Sequence, residues 1–244
     1  MTSLADNLRA VRQRIDAAAR AAGRDPATVR LLAVSKTWPA ADVRTLAALG
    51  MRHFAENRVQ ELTAKAAELT DLADLRWHLV GQLQRNKAAA VVRLGATVHS
   101  VDRLPLAEAL SRAADREDRT VDAYVQVDLG GPEGRLGDRG GAAPAEVPAL
   151  ADAVAAAPGL RLRGLMAVAP RGQDPAPAFA RLAELAARVR ADHPTASELS
   201  AGMSGDLEAA VTAGATVVRV GTALFGARPL ASEDESAQGP VRSR

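Results

Sequence analysis

Eight times along this chain a short apolar run ends in a polar or glycine exit and is followed by a helical stretch, and no other feature restricts the fold as much. The runs are about 30–35, Arg52–Ala55, Trp77–Val80, Thr97–Val101, Val121–Asp128, Leu160–Val168, Glu198–Ser200 and Val217–Val220. Helical stretches follow from Pro39 to Leu49, to about Leu69, and near 84–93, 104–115, 144–156, 176–191 and 206–213, with a last helical turn after Gly221. Ahead of them, Leu4, Leu8, Val11, Ile15 and Ala19 recur every three or four residues behind Ser3, which predicts an amphipathic helix from 3 to about 22. Eight strand–helix units in one chain predict an α/β fold, a single (β/α)8 barrel with an extra N-terminal helix. The competing fold is a doubly wound open sheet, but no G-x-G-x-x-G follows the first run, no Walker motif occurs, and the even spacing leaves no long crossover. Residues 1–230 are expected to be one domain and 231–244 a disordered tail, with Gly130–Ala143 a mobile loop.

Composition narrows the function classes. No apolar run reaches the twenty residues a membrane helix needs, and the first residues, MTSLADNLRA, lack a signal-peptide core. There is no cysteine, so disulfides, thiolate metal sites and a cysteine nucleophile are excluded, and a cytoplasmic protein is expected. The formal charge is only +2 and the six aromatic residues are scattered, so nothing here calls for nucleic-acid binding.

Among 31 basic residues only three are lysines: Lys36, Lys65 and Lys87. Lys36 stands at the exit of the first run, Arg30-Leu-Leu-Ala-Val-Ser-Lys-Thr37. Arginine stays protonated, whereas a desolvated lysine can lose its proton and condense with a carbonyl. The alternative is a strand-end lysine whose stem covers apolar surface while its head reaches water.

Strand exits of a barrel share one face. Here they bring Lys36, Glu56, Asn57, His78, Gly81, Ser100, Asp128, Met166, Ser200 and Arg219–Thr222 to that face, with the first strand beside the eighth and Lys36 beside Arg219. Runs seven and eight end in Ser200-Ala-Gly-Met-Ser204 and Gly221-Thr222, small and hydroxyl-rich. Glycine admits an oxyanion close to the backbone, and barrels commonly bind phosphate here. The alternative is helix capping by Ser204 and Thr222. An amine beside a phosphate cradle points to pyridoxal 5′-phosphate (PLP). Arg219, which has only donors, would then face an unprotonated ring nitrogen; otherwise it forms a salt bridge with Glu56 or Asp128. His78 and His99 read as hydrogen-bonded core residues, and two histidines without an acidic cluster define no metal site. Arg85 and Lys87 read as solvated helix charges.

These residues resemble the YggS/PROSC family of pyridoxal phosphate homeostasis proteins. The matching stretches are Ala33-Val-Ser-Lys-Thr37, Glu56-Asn-Arg-Val-Gln-Glu61, Trp77-His-Leu-Val-Gly81 with Gln84 and Asn86-Lys87, Arg163-Gly-Leu-Met166, Leu199-Ser-Ala-Gly-Met-Ser204 with Asp206, and Val218-Arg-Val-Gly-Thr222 with Phe225-Gly226. They span nearly the whole chain in the family's order. The resemblance implies a barrel of the alanine racemase N-terminal type and PLP held as an aldimine on Lys36. It also implies Ser200, Ser204, Gly221 and Thr222 around the phosphate, Arg219 near the ring nitrogen, Asn57 near the ring, and Met203 among the cofactor-binding residues. The chain departs from the pattern at Ala55, where glycine is usual, at Ala201, where methionine is usual, and in the Gly130–Gly137 loop, where Arg135 replaces a lysine.

Two functions share that cofactor. One is a carrier that buffers PLP and delivers it to apo-enzymes, expected to be monomeric. The other is an amino-acid racemase, which needs a second base; in the racemase family that is a tyrosine of an added domain. The single tyrosine here, Tyr124, lies early in the fifth run. The carrier is therefore the expected function.

Overall fold

The computed structural model describes residues 3–130 and 140–226, and the chain folds as the eightfold alternation predicts. Strands β1 (Arg30–Val34), β2 (His53–Glu56), β3 (Arg76–Leu79), β4 (Thr97–Val101), β5 (Val121–Val127), β6 (Leu160–Ala167), β7 (Glu198–Ser200) and β8 (Val217–Val220) form a closed parallel barrel in chain order. Around it run α1 (Leu4–Ala21), α2 (Ala40–Ala48), α3 (Val59–Glu68), α4 (Ala88–Arg93), α5 (Leu104–Arg116), α6 (Val147–Ala156), α7 (Pro175–Asp192), α8 (Leu207–Thr212) and α9 (Thr222–Phe225). Closure sets Leu32 opposite Arg219 and Ala33 opposite Val220, so Arg219 lies deeper in the barrel than Lys36.

α1 begins as its sequence dictates. The Ser3 hydroxyl accepts from the Asp6 amide, and Leu8, Val11 and Ile15 form the buried stripe. Some boundaries move. Pro39, with ψ of 160°, is extended, so α2 starts at Ala40. The expected 84–93 helix is a 3-10 turn, Arg85–Lys87, followed by α4. α6 starts at Val147 because Ala143–Glu146 closes on itself as a turn. The expected loop at Gly130–Ala143 lies largely outside the described residues, as do Arg135 and the expected tail. The described end of that loop pairs with β5, where Ala142 N–H donates to the Gln126 carbonyl at 2.8 Å.

The apolar core lies between the strands and the helices, where Leu106, Leu110, Leu165 and Phe179 are buried on one side and Leu8, Val43, Phe54 and Val218 on the other. Inside the barrel the apolar cluster is small: Leu32, Val34, Ala55 and Val217, with Val80 against it. Branched aliphatics usually fill such a lumen. Here much of it is polar: His78, His99, Ser200 and Arg219 are all buried.

The tightest strand contact is at Gly164, with φ of 148°. A Cβ there would lie 1.8 Å from the Glu198 carbonyl oxygen across the β6–β7 pair. Gly164→Ala is expected to cost about 3 kcal/mol or more through strain and displacement of β7. For a chain of this size that lowers Tm by roughly 6–12 °C. Thermal unfolding followed by circular dichroism measures it, and an unchanged Tm would show that the two strands can separate without cost.

Candidate active site

Lys36 sits in the turn that leaves β1, half-buried, two residues beyond the strand. The backbone on both sides of it is fixed. Thr37 takes φ of 69°, a left-handed conformation that a β-branched residue adopts only where its surroundings impose it. Its N–H donates to Glu61 Oε2 at 3.1 Å. Ser35 N–H donates to the Ala55 carbonyl at 3.0 Å, and Trp38 N–H to the Ser35 carbonyl at 3.0 Å. Trp38 stacks on Phe225 with ring centroids 5.8 Å apart, which joins this turn to α9.

Beneath the turn is a buried ion pair. Lys65 Nζ donates to Glu56 Oε1 at 2.6 Å and to the Ser35 carbonyl at 2.7 Å, and Ser35 Oγ donates to the same Glu56 oxygen at 2.7 Å. Glu56 is fully buried and Lys65 nearly so, at 7% exposure. Burial pushes the Glu56 carboxyl above its ordinary value, against the pull of Lys65 and Ser35. Sequence reasoning passed over Lys65, which at first sight is one more cation on an amphipathic helix. The signal available was its position nine residues after Glu56, at the inward-facing end of the Val59–Leu62 stripe. Glu56 is thus paired with Lys65; the salt bridge from Arg219 to Glu56 or Asp128 that the sequence left open does not form.

Arg219 is 4% exposed and is held by hydrogen bonds, with no carboxylate in a salt bridge to it among the described residues. It donates to Ser200 Oγ at 2.9 Å and to the Ala167 carbonyl at 2.8 Å. Burial lowers its pKa to about 10, which leaves it charged at neutral pH. Ser200 Oγ also meets His99 Nδ1 at 3.0 Å, so its hydroxyl is engaged within the lumen.

The loops after β7 and β8 are tied together by Ser204 Oγ, which accepts from Ala223 N–H at 3.1 Å. Ser204 and Thr222 do not occupy the N-cap positions, which are Asp206 for α8 and Gly221 for α9, but Ser204 Oγ takes a first-turn N–H of α9 from across the mouth. Gly202, with φ of 88°, packs so closely that a Cβ would lie 2.6 Å from the Ala210 methyl. Met203 donates its N–H to Asp206 Oδ1 at 2.6 Å and leaves its side chain exposed. α1 braces both loops, with Arg14 Nη2 donating to the Ser204 carbonyl and Asn7 Nδ2 to the Leu224 carbonyl, each at 2.9 Å. Sequence reasoning found α1 but not this role. On the far side, Gly81 packs on Asn57, where a Cβ would fall 2.1 Å from the Asn57 carbonyl oxygen. Lys36, Asn57, Ser204, Gly221 and Thr222 therefore share the C-terminal mouth, with Arg219 and Ser200 below them.

His78 and His99 are the core residues expected, but they belong to a longer series. His53 Nδ1 meets His78 Nε2, and His78 Nδ1 meets His99 Nε2, both at 3.0 Å. Desolvation lowers the His53 pKa to about 4 and the His78 pKa to about 3, and holds His99 well below its ordinary range, so all three are neutral at pH 7. Tyr124 stacks on His99 and donates to Glu198 Oε2 at 2.5 Å, at the opposite mouth from Lys36. Among the described residues no group of three metal-binding side chains converges.

A parallel barrel with a lysine at the first strand exit, a buried arginine on the eighth strand and braced hydroxyl loops beside them defines the class of alanine racemase N-terminal-type barrels. The family model for the alanine racemase N-terminal domain matches residues 7–229. A Pseudomonas aeruginosa protein named pyridoxal phosphate homeostasis protein is 50% identical over 232 residues, 93% of this chain and 97% of that one. PipY of Synechococcus elongatus, solved with PLP bound, is 41% identical with a TM-score of 0.80, covering 92% of this chain and all of that one. The Streptomyces coelicolor alanine racemase is 22% identical with a TM-score of 0.73, and its match covers 92% of this chain and 59% of its own, a likeness of fold. The chain belongs to the pyridoxal phosphate homeostasis protein family.

Two outcomes follow from these buried groups. Lys65→Met strands the Glu56 carboxyl and is expected to destabilise by about 3–5 kcal/mol. Adding Glu56→Gln should recover part of the loss, which urea unfolding of the single and double variants measures. The second outcome concerns pH. His78 and His99 stay neutral when folded but take up protons near pH 6.5 when unfolded. Their contribution is complete above that pH and is lost as pH falls, by about 1.4 kcal/mol per unit for each residue. His53, lowered to about 4, acts in the same direction, and Glu56, shifted upward, has the opposite slope as one group against three. Urea midpoints between pH 7.5 and 5 should therefore fall in the parent and fall less in His78→Gln.

Proposed function

We propose that this protein binds PLP at the C-terminal mouth of the barrel and holds it for intracellular supply, releasing it to apo-enzymes. One observation carries the reading: Lys36, on a turn over-determined by the Glu56–Lys65 pair, stands between Asn57 and the two braced loops, above Arg219. The donor set fits the cofactor. An aldehyde needs an amine, a phosphate needs hydroxyls and close backbone, and a pyridine nitrogen needs one in-plane donor. Ser204 and Thr222, with Gly221 between short side chains, supply the second of these. Arg219 supplies the third. Relatives that match along nearly the whole chain carry the PLP homeostasis name, and PipY was solved with PLP bound, which supports the same ligand here.

When bound, PLP supplies a reactive aldehyde and an electron-withdrawing ring. Lys36 would hold the aldehyde reversibly through its amine. Arg219, which has only donors and stays charged, would hold the ring nitrogen unprotonated, which leaves the ring a weaker electron sink. Ser200 acts through Arg219, whose guanidinium it orients. Met203 and Asn57 close the two sides of the mouth. A racemase needs a second base opposite the lysine. Tyr124 does not provide one, because its hydroxyl is turned to Glu198 at the other mouth. The carrier is therefore the reading put forward, in a monomer of the cytoplasm, the compartment that a chain without cysteine fits.

Purified protein is expected to show a visible absorbance band that borohydride reduces, with the added mass on the Lys36 peptide. Lys36→Ala should abolish the band and the adduct. A band that survives that substitution would overturn the assignment of Lys36. Transfer is read by mixing loaded protein with an apo-enzyme and following its recovered activity. Chiral analysis of single L-amino acids after incubation sets the alternative against it: turnover well above that of free PLP would replace the carrier with a racemase.

A further inference from the structure

At the N-terminal mouth, on the far side of the barrel from Lys36, a cavity of about 240 Å³ is lined by Arg30, His53, Arg76, Tyr124, Arg163 and Glu198. Its carboxylates are already neutralised. Arg30 and Arg163 both bind Glu198, and Arg161 binds Asp122. Arg76 has no carboxylate partner among the described residues and is exposed. Among the lining residues Arg30, Arg76 and Arg163 face Asp122 and Glu198, three charges against two, and the excess of one is positive.

The histidine series starts in this cavity and ends on Arg219, and its direction can be worked out. A neutral imidazole has one N–H and one lone pair. Arg219 only donates, so Ser200 Oγ accepts from it, and among the described residues the acceptor for the Ser200 proton is His99 Nδ1. His99 then donates from Nε2 to His78 Nδ1, and His78 from Nε2 to His53 Nδ1. Every link points the same way. The last N–H, on His53 Nε2, finds no acceptor among the described residues, while its ring borders a cavity with surplus positive charge.

We propose that this cavity is a second ligand site, for a small oxyanion held by Arg76 and His53 Nε2–H, and that His78, His99 and Ser200 convey its occupancy to Arg219. An acceptor on His53 stabilises this set of tautomers over the reversed one. Hydrogen bonds in series polarise one another, so the Ser200 oxygen becomes the stronger acceptor for Arg219. The binding half of the proposal is independent of the cofactor; the effect on Arg219 gains its meaning from the PLP reading.

The test uses the full chain with 15N-labelled histidine and arginine, with and without PLP, and inorganic phosphate as the probe. Imidazole nitrogen shifts are expected to show Nε2–H and bare Nδ1 on His53, His78 and His99; Nδ1–H on any of them overturns the relay. Phosphate is expected to shift His53 and the Thr97 amide saturably. Arg76→Gln, at an exposed position, should weaken that binding about tenfold through one lost charged hydrogen bond, whereas Ser204→Ala should leave it unchanged. Shifts confined to the loops at Ser204 and Thr222, or equal binding by Arg76→Gln, refute the site. In His78→Phe, or in His78→Gln if the first does not fold, phosphate should still move His53 but no longer the Arg219 Nε–H; an undiminished Arg219 response refutes the coupling. Failure of the PLP reading shows separately, as a missing Lys36-dependent band, and leaves the His53 measurements intact.

Discussion

Burying a lysine ammonium and a glutamate carboxylate between β2 and α3 carries a desolvation cost that only close, well-directed hydrogen bonds offset. The Glu56–Lys65 pair supplies these at one oxygen, Glu56 Oε1, which takes both Lys65 and Ser35, while Glu56 Oε2 is buried without a hydrogen bond among the described residues. Lys65 also holds the Ser35 carbonyl, so the same ammonium that neutralises Glu56 fixes the peptide next to Lys36. Lys36 is thereby placed by Lys65. The left-handed Thr37, costly in isolation, persists because Glu61, Ser35 and Trp38 determine the backbone around it.

The polar lumen makes a second demand on the fold. Three imidazoles, a hydroxyl and a guanidinium occupy space that aliphatic layers fill in other barrels, and they remain there because each is hydrogen-bonded to the next. At the other end Tyr124, Arg30 and Arg163 converge on Glu198 and, against the penalty of its burial, hold its carboxyl below the usual range. The barrel is thus polar along its axis and apolar in its wall, with stability supplied by the strand–helix layer and chemistry by the interior.

The fold was legible because its signal is periodic. Eight short β-rich runs, each followed by a helix-length stretch, leave few arrangements, and the Lys36, Ser200–Ser204 and Gly221–Thr222 strand exits fall on one face as topology requires. What stayed hidden depends on side-chain partners far apart in the chain. The helical spacing turns Lys65 inward but does not choose between it and Arg219 as the partner of Glu56, and nothing local shows that His53, His78 and His99 stand end to end. Pro39 and Ala143–Glu146 shifted helix starts through backbone conformation that periodicity does not encode. Asn7 and Arg14 lie off the apolar stripe of α1, and their acceptors lie 217 and 190 residues away.

Those last two bonds bear on how the protein is made. The loops after β7 and β8 follow strands β1 to β7 on the ribosome, while the helix that braces them precedes every strand. α1 must therefore wait, its apolar stripe uncovered, until Leu207, Val211 and Leu224 arrive to pack against it. Contacts of such long sequence separation form late and slowly, since the loop they close is nearly the whole chain. The mouth of the barrel consequently becomes competent at the moment the barrel closes. A barrel interrupted before its eighth strand cannot present the finished mouth, and a formed mouth therefore reports that closure has taken place.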